Sequence, residues 1–92
     1  MRVGPIEVVL PTYNGVSYLE SQLFSIYQQT LRPKRVLMRD DGSTDGTLEL
    51  IWHLCDLYGS WLRILPDDGN LGCVSNLNRL LEATTAPYVA LA

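Results

Sequence analysis

The chain has 92 residues, of which 47% are hydrophobic and 18% are charged. This balance is typical of one folded domain and excludes an intrinsically disordered chain. Seven Lys and Arg against ten Asp and Glu give a formal net charge of −3, which excludes a nucleic acid partner held by a basic surface.

The N-terminal part of the sequence predicts a strand and a helix. The apolar run within Met1–Pro11 is too short for a signal peptide or a membrane span, so we expect a cytoplasmic protein with no membrane segment in this chain. Ile6–Leu10 is predicted to be a strand that is buried on both faces. Ser17 and Glu20 have the spacing of a capping box, which predicts a helix from there to about Thr30. Its apolar positions are Leu19, Leu23, Ile26 and Tyr27.

Two more strand–helix pairs and a last strand follow. Arg35–Arg39 is the second predicted strand, and the helix after it is predicted to end at Gly59. Trp61–Leu65 is the third strand and Tyr88–Ala92 the last. The apolar positions of the second and third helices are Leu48, Ile51, Trp52 and Cys55 in one and Val74, Leu77, Leu80 and Leu81 in the other.

The two cysteines, Cys55 and Cys73, lie outside any metal-binding spacing. We expect both to be free thiols, buried or half-buried.

This order of elements predicts an α/β fold with a mostly parallel sheet of about four strands and helices on both faces. Ligands of such sheets bind beyond the carboxyl ends of the strands. The three strand-to-helix loops, Pro11–Val16, Asp40–Asp45 and Pro66–Leu71, all lie at that edge. We therefore look for function in these loops.

The first loop carries an aromatic ring, a hydroxyl and an amide. Tyr13 is able to stack on a planar base, while Thr12 and nearby backbone groups hydrogen-bond to the edge of that base. The alternative is a plain turn in which Asn14 and Gly15 supply positive φ angles and Tyr13 only packs.

The second loop begins with two adjacent acids, Asp40 and Asp41, at the end of a predicted buried strand. Their mutual repulsion indicates a role for a ligand, a metal or a polar cap. A carboxylate there is able to accept the imino N–H of uracil or thymine. The alternative is a solvated acidic turn that leads into a helix N-cap.

The third loop, Gly69–Gly72, looks like a phosphate-binding turn at a helix start. It matches neither the dinucleotide-binding nor the P-loop pattern, because it has the wrong glycine spacing and no lysine follows it. Asn70 suits an N-cap as well as a ligand contact, and Asn76 points either to solvent or into the cleft.

Four segments, VVLPTYNG, YLESQLFSIYQQT, RDDGSTDGT and GNLGCVSNLNRLLE, together resemble the N-terminal half of family 2 glycosyltransferases of the GT-A fold. The fourth segment, from NLG to NLNRLLE, looks most like bacterial enzymes of the rhamnosyltransferase kind, which build cell-surface polysaccharide. The resemblance extends from about Ile6 to Ala92. It implies that residues 1–92 form the nucleotide-sugar-binding part of a Rossmann-like, three-layer GT-A domain, and that this part ends before the metal motif of the domain.

The resemblance also implies a donor and a set of binding residues. The donor is a nucleoside-diphosphate sugar, which we expect to be a UDP- or dTDP-sugar. By motif match, Tyr13 stacks on the base and Asp41 bonds to the base edge. The other residues assigned to the nucleotide site are Pro11, Thr12, Asn14, Asp40, Gly42, Ser43, Asn70, Gly72 and Asn76.

The reacting groups are expected beyond Ala92. In the resembling enzymes, an acidic motif after the last strand holds Mg or Mn, and a further carboxylate is the general base for inverting transfer to a glycan or lipid-linked acceptor. We therefore expect no catalytic or metal-binding residue in this chain, no sugar transfer by it alone, and phosphate binding through helix N-termini and the metal.

The alternative to part of a transferase is a stand-alone nucleotide-binding or regulatory module. Surface exposed by truncation is expected to favour self-association.

Overall fold

The computed structural model describes residues 2–66 and 69–92. Its elements in chain order are β1 (Arg2–Val3), β2 (Ile6–Thr12), α1 (Leu19–Tyr27), β3 (Leu31–Arg32), β4 (Arg35–Asp40), α2 (Thr47–Tyr58), a 3-10 turn (Gly59–Trp61), β5 (Leu62–Ile64), α3 (Cys73–Ala83) and β6 (Tyr88–Leu91). The described helices include none that is long and apolar enough to cross a membrane.

The main sheet has four strands in the order β5-β4-β2-β6, and every neighbouring pair is parallel. Thr12 at the end of β2 lies opposite Asp40 at the end of β4. The first two strand-to-helix loops therefore leave the sheet side by side. The short strands β1 and β3 form a separate parallel pair that the sequence did not predict.

Alternate strand residues face opposite layers of the fold. Val8 and Val36 belong to a core with α1 and α2, whereas Val9 and Leu37 pack with Leu80 of α3 on the other face. Each fully buried aliphatic side chain of this kind contributes about 1.5–3 kcal/mol relative to an exposed one. The predicted three-layer α/β arrangement is confirmed.

The start of α1 differs from the prediction. The helix begins at Leu19 with no side-chain cap, so the capping box of Ser17 and Glu20 is wrong. The amides of Tyr18 and Leu19 instead donate to the carbonyl of Gly15 at 3.2 and 3.0 Å. The start of α1 is therefore held by backbone hydrogen bonds to Gly15 rather than by a side-chain cap.

The third strand is shorter than predicted because its first residue belongs to an aromatic cluster. The Trp61 indole donates to the carbonyl of Pro33 at 3.0 Å. Its ring lies 5.0 Å from that of Tyr27 and 5.4 Å from that of Tyr58, measured between centroids. This packing holds Trp61 in the 3-10 turn, and the strand starts at Leu62.

Helix α3 packs on the sheet through Asn76 and Leu80, which are its buried residues. This orientation leaves Val74 69% exposed and Leu81 43% exposed, although both are among the predicted apolar positions of this helix. Cys73 is also exposed, so its predicted burial is wrong, while half-buried Cys55 fits the prediction.

Glu7, fully buried in β2, anchors the connection between α3 and β6. Its carboxylate accepts the amides of Thr85 and Ala86 at 2.6 and 2.8 Å and pairs with Arg35 at 3.3 Å. Burial acts to raise the pKa of Glu7, but the two backbone hydrogen bonds and the Arg35 charge outweigh it and hold that pKa below its usual range. The ionised side chain therefore fixes the entry to β6.

Candidate functional site

A cavity of about 350 Å³ lies at the carboxyl ends of β2 and β4. This volume is within the range of small-molecule sites, and the position is the one expected for ligands of parallel sheets. The cavity is lined by Pro11, Thr12, Tyr13, Asp41, Asn70, Gly72, Cys73 and Asn76. Seven of these eight were predicted from the sequence, and Cys73 was not.

Tyr13 leaves much of its ring free at the mouth of this cavity. The side chain is 52% exposed and belongs to the cavity lining, so part of its ring is accessible to a ligand. The neighbouring Asn14 does have the predicted positive φ, at 51°, whereas Gly15 does not. The loop is thus a turn that places the Tyr13 side chain in the cavity lining.

Asn14 and Ser43 connect the first loop to the second and lie outside the cavity lining. The Asn14 amide donates to the Ser43 hydroxyl at 2.7 Å, and the Thr44 amide donates to the Asn14 side-chain oxygen at 2.9 Å. These two residues hold the loops in register, and the structure does not bring them to the cavity wall.

Asp40 is also engaged by the protein itself. It is 2% exposed and accepts the Thr12 hydroxyl at 2.9 Å, the Ser43 hydroxyl at 2.6 Å and the Ser43 amide at 2.9 Å. Asp41 is 4% exposed. Because both carboxylates are buried, the interpretation of a solvated acidic turn is wrong.

Asp41 lines the cavity and holds the start of α3. Its Oδ1 accepts the Leu71 amide at 2.7 Å and Arg39 Nη1 at 3.0 Å, and its Oδ2 accepts the Gly72 amide at 3.0 Å. Burial acts to raise the pKa of Asp41, but these hydrogen bonds and the Arg39 charge outweigh it and lower the pKa. The carboxylate is therefore ionised at neutral pH and acts only as an acceptor.

The helix starts are less available to phosphate than expected. Asp41 already binds the Leu71 and Gly72 amides before α3. At the start of α2, Asp45 accepts the Thr47 amide at 3.1 Å. The amides of Leu71, Gly72 and Thr47 therefore already donate to carboxylates of the chain. The expectation that phosphate binds at helix N-termini is corrected for these three amides.

Arg39 is the site residue that sequence reasoning missed. It is 1% exposed, and its Nη1 donates to Asn76 Oδ1 at 3.0 Å in addition to Asp41. Its Nη2 donates to the Gly69 carbonyl at 2.9 Å. The available signal was an arginine inside an apolar strand directly before two acids, because arginine is almost never fully buried unless it is paired.

Of the two asparagines, Asn76 is buried and Asn70 is exposed. Asn76 is 2% exposed, which rules out the solvent-facing alternative, and its Nδ2 donates to the Arg39 carbonyl at 3.2 Å. Asn70 Nδ2 donates to the Asp41 carbonyl at 3.0 Å, whereas α3 has no side-chain N-cap. The N-cap alternative for Asn70 is therefore wrong.

Gly42 is not part of the cavity lining. Its φ of +79° strains any residue with a side chain, and an added Cβ would lie 3.5 Å from the Asn70 Cβ.

The described residues do not fit a divalent metal. Residues 2–66 and 69–92 contain no group of three His, Cys, Asp or Glu side chains that suits an ion. The carboxylates of Asp40 and Asp41 are each held by donors of the chain. We therefore assign no metal ligand among these residues.

The parallel sheet, the helices that cover both of its faces and the cavity at the carboxyl ends of the strands define a Rossmann-like α/β domain. Residues 7–92 match the model of glycosyl transferase family 2, and the chain belongs to this family.

Individual relatives agree with this assignment. The N-acetylglucosaminyl-diphospho-decaprenol L-rhamnosyltransferase of Mycobacterium tuberculosis is 38% identical over 76 residues, which cover 83% of this chain and 24% of that protein. The hyaluronan synthase of Pasteurella multocida is 32% identical over 89 residues, 96% of this chain and 9% of that protein. The resemblance to rhamnosyltransferase-type enzymes is thereby confirmed.

A solved GT-A structure has the same fold. The mannosyltransferase PcManGT of Pyrobaculum calidifontis, determined with GDP-Man and Mn2+, aligns with a TM-score of 0.81 at 28% identity, covering 92% of this chain and 26% of its own. The chain spans about a third or less of the length of these related proteins.

Proposed function

We propose that residues 1–92 hold the nucleoside of a UDP- or dTDP-sugar within a longer glycosyltransferase domain. The observation that carries this proposal is the ionised Asp41 carboxylate in the same cavity as the half-exposed Tyr13 ring. The Asp41 carboxylate is suited to hydrogen bonding with the edge of a base, and the Tyr13 ring is suited to stacking on the face of that base.

The hydrogen-bonding capacity of Asp41 supports uracil or thymine. A carboxylate has about four acceptor positions, and Oδ1 already accepts two donors while Oδ2 accepts one. The remaining position on Oδ2 suits a single imino N–H. Guanine would present two adjacent donors, and the ring nitrogens of cytosine and adenine at this edge are acceptors that a carboxylate repels.

The transfer step belongs to the longer domain. We propose that an acceptor hydroxyl of a glycan or lipid-linked sugar displaces the nucleoside diphosphate with inversion, and that the metal and general base lie outside this chain. The names of the rhamnosyltransferase and hyaluronan synthase relatives support a role in cell-surface polysaccharide synthesis. The free thiols Cys55 and Cys73 suit the reducing cytoplasm.

We also propose that the 92-residue chain self-associates through β6. All four residues of this edge strand are exposed, including Tyr88 at 64% and Leu91 at 63%. An adjoining cavity of about 300 Å³ is lined partly by Ile6, Val8 and Leu91. An exposed edge with apolar side chains favours pairing with a second copy.

The donor proposal is tested by titrating the chain with UDP, dTDP, GDP, CDP and ADP while two-dimensional NMR monitors the amide signals. UDP and dTDP are expected to bind more tightly than the other three and to shift the amide signals of Tyr13, Leu71 and Gly72. Equal affinity for all five nucleotides would contradict the role of Asp41. The alternative of a stand-alone module predicts the same binding, and a sugar-transfer assay of the longer protein distinguishes the two.

A further inference from the structure

We propose that Arg39 is a positioning residue, whose buried guanidinium fixes the Asp41 carboxylate relative to the Gly69–Gly72 segment so that the nucleotide meets a preformed cavity wall. This inference rests on the proposed nucleotide-binding function. Arg39 does not itself line the cavity, so it acts through the residues that do.

The guanidinium joins three separate parts of the fold. Nη1 donates to Asp41 in the loop after β4 and to Asn76 in α3, both at 3.0 Å. Nη2 donates at 2.9 Å to the carbonyl of Gly69, ahead of α3. A planar guanidinium has donors at fixed angles, so it sets the relative positions of its acceptors in a way that a lysine ammonium does not.

The location of Arg39 makes a purely structural role a poor explanation. Its neighbours in β4, Leu37 and Met38, are fully buried apolar residues, and an apolar side chain would complete the strand without the desolvation penalty of a cation. The partners of the guanidinium include Asp41 and Asn76, which both line the cavity. The charge is therefore placed where it orders the cavity wall.

Asp41 also makes its own hydrogen bonds to the Gly69–Gly72 segment. Its carboxylate accepts the Leu71 and Gly72 amides, and its carbonyl accepts the Asn70 side chain. Without Arg39, the carboxylate keeps those amides but loses the cation that opposes its rotation. A nucleotide would then have to order the segment as it binds, and such ordering weakens affinity.

The test compares Arg39→Met and Arg39→Lys with Arg63→Met, a matched control on exposed Arg63 in β5. Hydrogen exchange of individual amides is measured by NMR in the free chain, and UDP affinity by calorimetry. In Arg39→Met, we expect exchange at Leu71 and Gly72 to accelerate about tenfold or more and the UDP Kd to rise by a similar factor, the scale of one hydrogen bond to a charged group. Exchange of the core amides of Val9 and Leu37 is expected to change much less.

Arg39→Lys keeps the charge and is expected to lie between the wild-type chain and Arg39→Met, while Arg63→Met matches the wild-type chain. If Arg39→Met does not fold, the lysine variant carries the test. Uniform acceleration of all amides, or wild-type exchange and wild-type UDP affinity in the folded variants, would overturn the positioning role and leave the proposed function standing. A third outcome is faster exchange at Leu71 and Gly72 in Arg39→Met together with a wild-type chain that binds no UDP. This outcome would support the positioning of the segment and contradict the proposed function.

Discussion

The hydroxyl of Thr12 at the end of β2 donates a 2.9 Å hydrogen bond to the carboxylate of Asp40 at the end of β4. The two residues are opposite each other in the parallel register, and both are nearly inaccessible to solvent. This contact joins the first two loops at the proposed nucleotide cavity, which Thr12 lines.

Replacing Thr12 with valine keeps the shape of the side chain and removes this donor. Asp40 retains the two donors of Ser43, so we expect a loss of about 1–2 kcal/mol in the free energy of unfolding, measured by urea denaturation. Thr30→Val, at an exposed threonine, is the control and should leave stability unchanged. Equal stability of both variants would show that the Thr12 contact contributes nothing.

Glu7 links β2 to the segment before β6, and Glu7→Gln tests that link. The glutamine amide would place donors against Arg35, so we expect a destabilisation of about 1–3 kcal/mol at pH 7. Glu49→Gln, on the exposed side of α2, is the control and should unfold at the urea concentration of the wild-type chain.

The effect of Glu7 is expected to depend on pH. Its pKa is lower in the folded chain than its usual value, so the carboxylate stabilises the fold fully above the unfolded value of about 4.3 and loses this contribution as pH falls through the folded pKa. The stability difference between the wild-type chain and Glu7→Gln should therefore shrink in acid. A difference that is constant from pH 7 to pH 3 would contradict the assignment.

Tyr13 is tested by Tyr13→Ala and Tyr13→Phe. Loss of a stacking ring costs about 1–3 kcal/mol per base, so the alanine variant should bind UDP roughly tenfold more weakly or worse, while phenylalanine retains the affinity. Because the side chain is 52% exposed, melting temperatures should change little. Wild-type UDP affinity in Tyr13→Ala would exclude stacking on this ring.

Self-association through β6 is tested by sedimentation velocity. Val89 is 40% exposed on this edge strand, and Val89→Lys places a charge where a second copy would pair. We expect the wild-type chain to show concentration-dependent dimers and Val89→Lys to be monomeric. Leu57→Lys, at an exposed position of α2, is the control and should dimerise like the wild-type chain.

The sequence was sufficient for those features that depend on local patterns. Apolar runs such as Ile6–Leu10 and the alternation of strands with helices predicted the parallel sheet and its three layers, which the structure confirms. The edge that carries the cavity followed from the same order of elements. Gly59 was correctly identified as the end of α2.

Contacts between distant residues were not predictable in this way. The start of α1 depends on the Gly15 carbonyl and on Asp45, which accepts the Val16 amide at 3.2 Å from 29 residues away. The pairing of Arg39 with Asn76 spans 37 residues. No periodicity indicates which of several polar side chains will be buried together, so the sequence predicts Arg39 only as the end of a strand.

The most direct test of the central claim is the affinity of the chain for UDP compared with N3-methyl-UDP, with 5-methyl-UDP as the control for an added methyl group elsewhere on the ring. Methylation removes the imino hydrogen that Asp41 Oδ2 is proposed to accept and leaves the face for Tyr13 intact. We predict that UDP and 5-methyl-UDP bind with similar affinity and that N3-methyl-UDP binds about tenfold or more weakly, as expected for a lost hydrogen bond to a charged group. Equal affinity for UDP and N3-methyl-UDP would contradict the account.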